Sequence, residues 1–222
     1  MCGRFTLTTD TETLQEAFNL TSAPQDLAPR FNIAPTQAVA VVVNREGERQ
    51  LDAFHWGLIP TWAKDKSIGN RMINARGETV AEKPSFKRPF QNQRCLVLAD
   101  GFYEWRKTPE GKIPTYIHLK DHRPFAFAGL WDRWQPKESD EAIYSCTIIT
   151  TEPNDLMASI HNRMPVILPP EAHDLWLDPA QQEADRLLPL LKPYPAGLMT
   201  AYAVSRQVNS PANDVPACIQ PA

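Results

Sequence analysis

The stretch Val39-Ala40-Val41-Val42-Val43-Asn44-Arg45-Glu46-Gly47-Glu48-Arg49-Gln50-Leu51-Asp52-Ala53-Phe54 decides the fold class. A β-branched run leads into a turn marked by Gly47, and Leu51, Ala53 and Phe54 begin a return strand, which together read as a β-hairpin. Working outward, Cys95 to Ala99, Thr115 to Leu119, Phe125 to Leu130 and Ser145 to Thr150 are further short apolar or β-branched runs. Gly, Pro, Asp and charged residues punctuate them. Upstream, Asp10 to Leu20 sets Leu14, Ala17 and Phe18 at helical spacing behind a Thr/Asp-rich start, the pattern of a capped helix. Downstream, Pro170 to Leu177 and Gln181 to Leu191 carry helical spacing, and Thr200 to Val204 returns to strand. The expectation is an α+β fold: one β-dominated domain over residues 1–222, an antiparallel, barrel-like sheet system with a few short flanking helices.

Composition narrows the function classes. The 222 residues hold 23 basic and 26 acidic side chains, so no global basic field exists and any nucleic-acid contact needs a local patch. The 21 prolines form no biased tract, and no internal repeat is visible. Cys2, Cys95, Cys146 and Cys218 are scattered without a CxxC pair, which suits a reducing cytosol and leaves the last three as small core residues. The start Met-Cys-Gly-Arg-Phe lacks a signal-peptide pattern, and no run of 18 apolar residues occurs. A soluble cytoplasmic protein, with no membrane contact, is expected.

Cys2 is the chemically unusual residue. Removal of Met1 would leave an α-amine beside its thiol, with pKa values of about 7.7 to 8.0 and about 8.5, so both are partly nucleophilic near neutrality. An aldehyde can condense with that amine to an imine, which the thiol of the same residue closes to a thiazolidine. The competing reading is a small residue at a frayed terminus. Asn74, Arg76 and Glu78 alternate in Met72 to Thr79, so an extended backbone points all three to one face, either a cleft wall or a solvated edge. Glu104 stands between Tyr103 and Trp105, where desolvation would raise its pKa into a useful acid/base range, unless the carboxylate simply alternates outward. His161 lies in a loop between a short helical stretch and Val166 to Leu168, a position open to a functional or a structural role. His118 and His122 have HxxxH spacing but flank a strand end and a turn, so zinc is rejected, and no cofactor is expected.

Met-Cys-Gly-Arg-Phe, Ile-Asn-Ala-Arg (73–76), Asp-Gly-Phe-Tyr-Glu-Trp (100–105) and Ile-His-Asn-Arg-Met-Pro (160–165), in this order, resemble the SRAP family, the SOS response-associated peptidases. Phe31 to Pro35, Trp56 to Pro60 and Val204 to Ile219 extend the resemblance over essentially the whole chain. The resemblance implies a sensor of abasic sites in single-stranded DNA that crosslinks through Cys2 after its own site removes Met1, and a monomer is expected. It carries active-site roles onto Cys2, Asn74, Glu104 and His161. It implies DNA contacts at Arg4, Asn32, Pro35, Trp62, Arg76 and Arg163, and β-elimination at the abasic site as a side reaction. Two departures stand out: Ala63, where the family often shows a second aromatic, and Pro84, near which it shows a basic residue. Two further readings stay open, a cysteine hydrolase acting on other peptides with His161 as base, and a non-catalytic binding module.

Overall fold

A computed structural model describes residues 3–23, 27–136 and 140–222. Thirteen strands dominate it: β1 Phe5–Leu7, β2 Arg30–Ile33, β3 Ala38–Arg45, β4 Glu48–Trp56, β5 Asn74–Arg76, β6 Arg94–Ala99, β7 Gly101–Thr108, β8 Gly111–Leu119, β9 Phe125–Trp134, β10 Ile143–Thr151, β11 Met164–Pro165, β12 Ile167–Leu168 and β13 Met199–Ala203. Five short helices flank them: α1 Thr11–Phe18, α2 Pro84–Asn92, α3 Asp155–Ala158, α4 His173–Leu177 and α5 Ala184–Leu187.

The hairpin read from Val39 to Phe54 is β3 and β4, paired from Ala38↔His55 to Arg45↔Glu48. In the larger sheet β10, β4, β3, β6 and β9 follow one another, and β9 pairs back onto β10, so these five strands close into a barrel. The second sheet has the order β13-β8-β7-β1-β2. Phe5 of β1 and Phe102 of β7 meet Phe127 of β9 edge-on, at ring separations of 5.7 and 6.0 Å, so one hydrophobic core joins the two sheets. Cys95, Cys146 and Cys218 are buried free thiols.

The antiparallel expectation needs one correction. β10 runs parallel to β4 at Ser145↔His55 and Cys146↔Trp56, and then parallel to β5 from Ile148↔Asn74 to Thr150↔Arg76. Parallel pairing requires a long return connection, and here β6 to β9 supply it. Ser145 to Thr151 is buried without alternation, as a strand covered on both faces should be.

Helices follow their caps and their prolines. Asp10 caps α1 by accepting from the Thr13 backbone N–H at 2.9 Å, and Asn19 ends it in the left-handed conformation. The helical pattern over Gln181 to Leu191 shrinks to α5 and a 3₁₀ turn over Leu188–Leu190, because Pro189 can donate no backbone bond. Helix α2 has no counterpart in the sequence reading, since Pro89 lies inside it. Its C-terminal carbonyls are held instead by buried Arg94, whose guanidinium donates to Phe90 O and Gln91 O at 2.6 Å and to the carbonyls of Trp176 and Gln181. Burial pulls the pKa of this guanidinium down to about 10, against the opposing charge of Asp178. Among the described residues, no helix is long and apolar enough to cross a membrane.

Candidate functional site

Strand β1 delivers the start of the chain to β7. The register is Phe5↔Phe102 and Thr6↔Gly101, and the Tyr103 N–H donates to Arg4 O at 3.0 Å. Continuing this register sets Gly3 opposite Glu104. Cys2 itself lies outside the described residues. The other end of β1 is fastened by Asp100, whose carboxylate accepts from the Thr6 and Thr8 hydroxyls and from the Thr9 N–H at 2.9 Å. The Tyr116 hydroxyl closes this network on Thr6 at 3.0 Å. Gly101 is required there, since a Cβ would come within 2.1 Å of the Tyr116 oxygen.

Glu104 is 3% exposed, and burial raises its pKa while the charge of His161 opposes the shift. The carboxylate between two aromatics is therefore desolvated, and His161 is within electrostatic reach of it. The His161 N–H donates to Met157 O at 2.8 Å, continuing the turn that ends α3, and the Arg163 N–H donates to His161 Nδ1 at 3.1 Å. The same Nδ1 lies 3.3 Å from the Arg163 carbonyl oxygen, so Nδ1 finds a partner at Arg163 whether or not it carries the ring proton.

Asn74 and Arg76 share a face of β5, with Ala75 buried between them. The expectation that Glu78 extends this row is corrected: the strand ends at Arg76, and Gly77–Thr79 forms a 3₁₀ turn. Glu78 instead accepts from both terminal guanidinium nitrogens of Arg163, and Arg163 Nη2 also donates to Thr150 O at 2.7 Å. Thr150 is the β10 partner of Arg76, so Arg76, Arg163 and the His161 loop meet at one end of β10.

The expected DNA contacts divide into two groups. Trp62 is 59% exposed, Arg76 is exposed and Pro35 is half-buried. Asn32 is corrected as a direct contact. Its side chain has no exposed surface, and Nδ2 donates to the carbonyls of Val208, Ser210 and Asn213 at 2.7 to 3.1 Å. Its Oδ1 accepts from Arg4 Nη1 at 2.7 Å, and Arg4 also donates to Val208 O and lies over Trp105. Asn32 thus orients Arg4, and both are tied to the C-terminal segment. Asp214, which accepts from the backbone N–H groups of Phe31 and Asn32, belongs to this clasp and was not read from the sequence. The only cue to it is its place within the resembling segment Val204 to Ile219.

Ala63 is buried beside Ile59 and Trp134, so the small residue at this position fills an interior site next to exposed Trp62. Pro84 opens α2, where the missing N–H costs nothing. His118 stacks on His122 at 4.6 Å, and its Nδ1 is bonded to Leu119 O at 2.7 Å.

Comparison with known proteins matches the arrangement to one family. The chain is 48% identical over 223 residues to the abasic site processing protein YoqW of Bacillus subtilis (strain 168), covering 99% of both chains. It is 34% identical over 224 residues to the abasic site processing protein HMCES of Gallus gallus, covering 87% of this chain and 66% of that one. A crystal structure of a protein from Bacteroides thetaiotaomicron superposes with a TM-score of 0.90 at 31% identity, covering all of both chains. A family model described as SOS response associated peptidase (SRAP) matches residues 1–211, and the chain belongs to that family.

Proposed function

We propose that this chain processes abasic sites in single-stranded DNA by covalent capture at Cys2 after Met1 is removed by the same site. The observation that carries the reading is Glu104: a desolvated carboxylate with a raised pKa, felt by His161 and placed opposite the chain start by the β1–β7 register. The open-chain aldehyde of the abasic sugar meets the Cys2 amine and forms a carbinolamine. Glu104 delivers the proton with which the hydroxyl leaves as water, giving the imine. The Cys2 thiol, after losing its proton to Glu104 or His161, adds to the imine carbon, and the imine nitrogen is protonated as the thiazolidine closes. Asn74 orients the sugar or the terminus. From the same imine, loss of a C2′ proton would expel the 3′ phosphate, so ring closure protects the strand by competing with that lyase reaction.

Trp62 and Arg76 present exposed groups to the strand, and Arg163 joins them on leaving Glu78. Arg4 and Asn32 act from within, with the Arg4 guanidinium braced beside Trp105. The working unit on this reading is a monomer folded as one domain over residues 1–222, acting in the cytoplasm on DNA.

Mature protein mixed with an abasic single-stranded oligonucleotide is expected to give an adduct that survives denaturing electrophoresis. Cys2→Ala should abolish the adduct while noncovalent strand binding persists. Absence of an adduct with the unaltered protein would overturn the proposal. Cleavage of unrelated peptides that depends on Cys2, without any adduct, would favour the hydrolase reading instead.

A further inference from the structure

Trp62 is the most exposed large apolar side chain among the described residues, yet its loop is built rigidly. On one side, the Thr61 N–H and hydroxyl donate to the buried Asp132 carboxylate at 2.8 and 2.6 Å. On the other, Trp134 Nε1 donates to Ala63 O at 2.8 Å, over a small buried cluster of Ile59, Ala63 and Trp134. An indole held out in water by a fixed backbone loses little entropy when a flat ring stacks on it.

Two adjoining cavities lie beside this loop. The outer, about 560 Å³, runs along Trp62, Lys64 and Arg71. The inner, about 500 Å³, is bounded by Thr36, His55, Ile59 and Lys66, and the wall residues Asp65, Ser67 and Asn70 line both. The wall is a 3₁₀ helix over Lys66–Arg71, capped by the Asp65 carboxylate, which accepts from the Ser67 N–H at 2.7 Å. It is pressed onto the chain after β4 so closely that a Cβ on Gly57 would stand 2.7 Å from Gly69 O. Three cations against one carboxylate give the pair of cavities a local positive balance that the whole chain lacks.

We propose that the inner cavity is a nucleotide subsite on the path of the single strand: it receives the base next to the one stacked on Trp62, while Lys66 holds the intervening phosphodiester. Its apolar floor, Ile59 and Ile143, suits the face of a base, and His55 and Asn70 offer polar groups to the base edge. Burial first, and then the charge of Lys66, pull the His55 pKa down against a bond to the Thr36 backbone, so the neutral ring keeps its second nitrogen for the base edge. The subsite serves a flanking nucleotide and not the abasic one. Thr61 is anchored at Asp132, opposite Ser145 of β10, whereas Asn74 lies opposite Ile148. That offset along β10 amounts to roughly 10 Å at about 3.3 Å per residue.

The inference rests on the single-stranded DNA reading above, and its test separates the two. Anisotropy titrations of an undamaged single-stranded oligonucleotide over a salt series read the subsite alone. Lys66→Ala is expected to weaken binding about 3- to 10-fold and to reduce the salt slope by about 0.7, the value for one lost phosphate contact on a single strand. Lys66→Arg should restore both, and His55→Ala should weaken binding with the slope unchanged. Lys66 is exposed, so its two variants retain the fold. Wild-type affinity and slope in Lys66→Ala, or no binding of the undamaged strand by the unaltered protein, would overturn the subsite. Lys66-dependent binding without any abasic adduct would uphold the subsite and sink the covalent reading.

Discussion

The barrel and the five-stranded sheet bury their side chains for different purposes. In the barrel, β6 is buried at all six positions and β9 at eight of ten, all but Arg94 and Asp132 without a polar side chain, and apolar burial of that kind stabilises without fixing direction, while further buried polar groups of the barrel gather on β10 at Ser145, Thr147, Thr150 and Thr151. The smaller sheet and the loops against it bury Thr6, Asn32, Asp100, Glu104, Thr115 and His118. Each buried polar group is costly unless its partner is correctly placed, so a polar interior specifies one geometry where an apolar one tolerates several. Glu104, to which the proposed chemistry is assigned, lies buried in the smaller sheet. The N-terminal strand is fastened to the polar sheet, and the barrel serves as its foundation through Phe5, Phe102 and Phe127.

Paired glycine substitutions test that contrast most strongly. Gly129→Ala in β9 would bring a Cβ to 2.8 Å from Cys95 Sγ and 2.9 Å from Val97 Cγ2, side-chain atoms that can shift a little. Gly101→Ala would press a Cβ to 2.1 Å from the Tyr116 oxygen, displacing a ring that is bonded to Thr6 and packed on Tyr103. Overpacking of this sort costs about 1 to 3 kcal/mol and occasionally more. Chemical denaturation should place Gly129→Ala within that range and Gly101→Ala above it, with adduct formation lost more severely in Gly101→Ala. Equal losses of stability would remove the distinction between a yielding core and an exacting one.

A smaller change in stability, with a larger one in chemistry, is expected at Glu104. Burial lifts its folded pKa above the unfolded value, so the folded chain binds the proton more tightly. Its contribution is fully present below the unfolded pKa and is lost as pH rises through the folded one. Glu104→Gln should therefore match the wild type in acid and exceed it at neutral pH, by about 2 °C in Tm, while adduct formation slows about 100-fold. Parallel Tm curves for the two proteins, with unchanged adduct rates, would assign Glu104 to the frame.

Much of this was legible because strands announce themselves. Val39 to Phe54 has both its β-branched run and its glycine turn, and Asp10 caps α1 by a rule local to one helical turn. What escaped depends on partners distant in sequence. Helix α2 survives Pro89 because Arg94 satisfies its last carbonyls, and the parallel β4–β10 ladder is set by barrel closure. Glu104 was legible as a residue of interest, but its desolvation needed the sheet around it. Asn32 shows the opposite limit. Its segment drew attention correctly, yet only the carbonyls of Val208, Ser210 and Asn213, some 180 residues away, reveal that it works by orienting Arg4.

The mildest prediction concerns the ion pair at the exposed edge, which titrates in the opposite sense to Glu104. Hydrogen bonding from Arg163 holds the Glu78 pKa down, so its contribution is present above the unfolded pKa and is lost as pH falls through the folded one. The Glu78 side chain is 52% exposed, and solvent screening keeps the pair under about 1 kcal/mol. Glu78→Gln should cost no more than that and flatten the acid limb of the stability curve. The same substitution loosens one of the two holds on the Arg163 guanidinium, leaving Thr150 O as the other. If Arg163 serves the strand, Glu78→Gln tightens binding of an undamaged oligonucleotide and steepens its salt slope, because a guanidinium no longer neutralised by a carboxylate can displace counterions from a phosphate. A binding curve and slope equal to the wild type would make Arg163 a strut between β10 and the turn after β5, and would leave Arg76 as the strand's cationic contact at that end of β10.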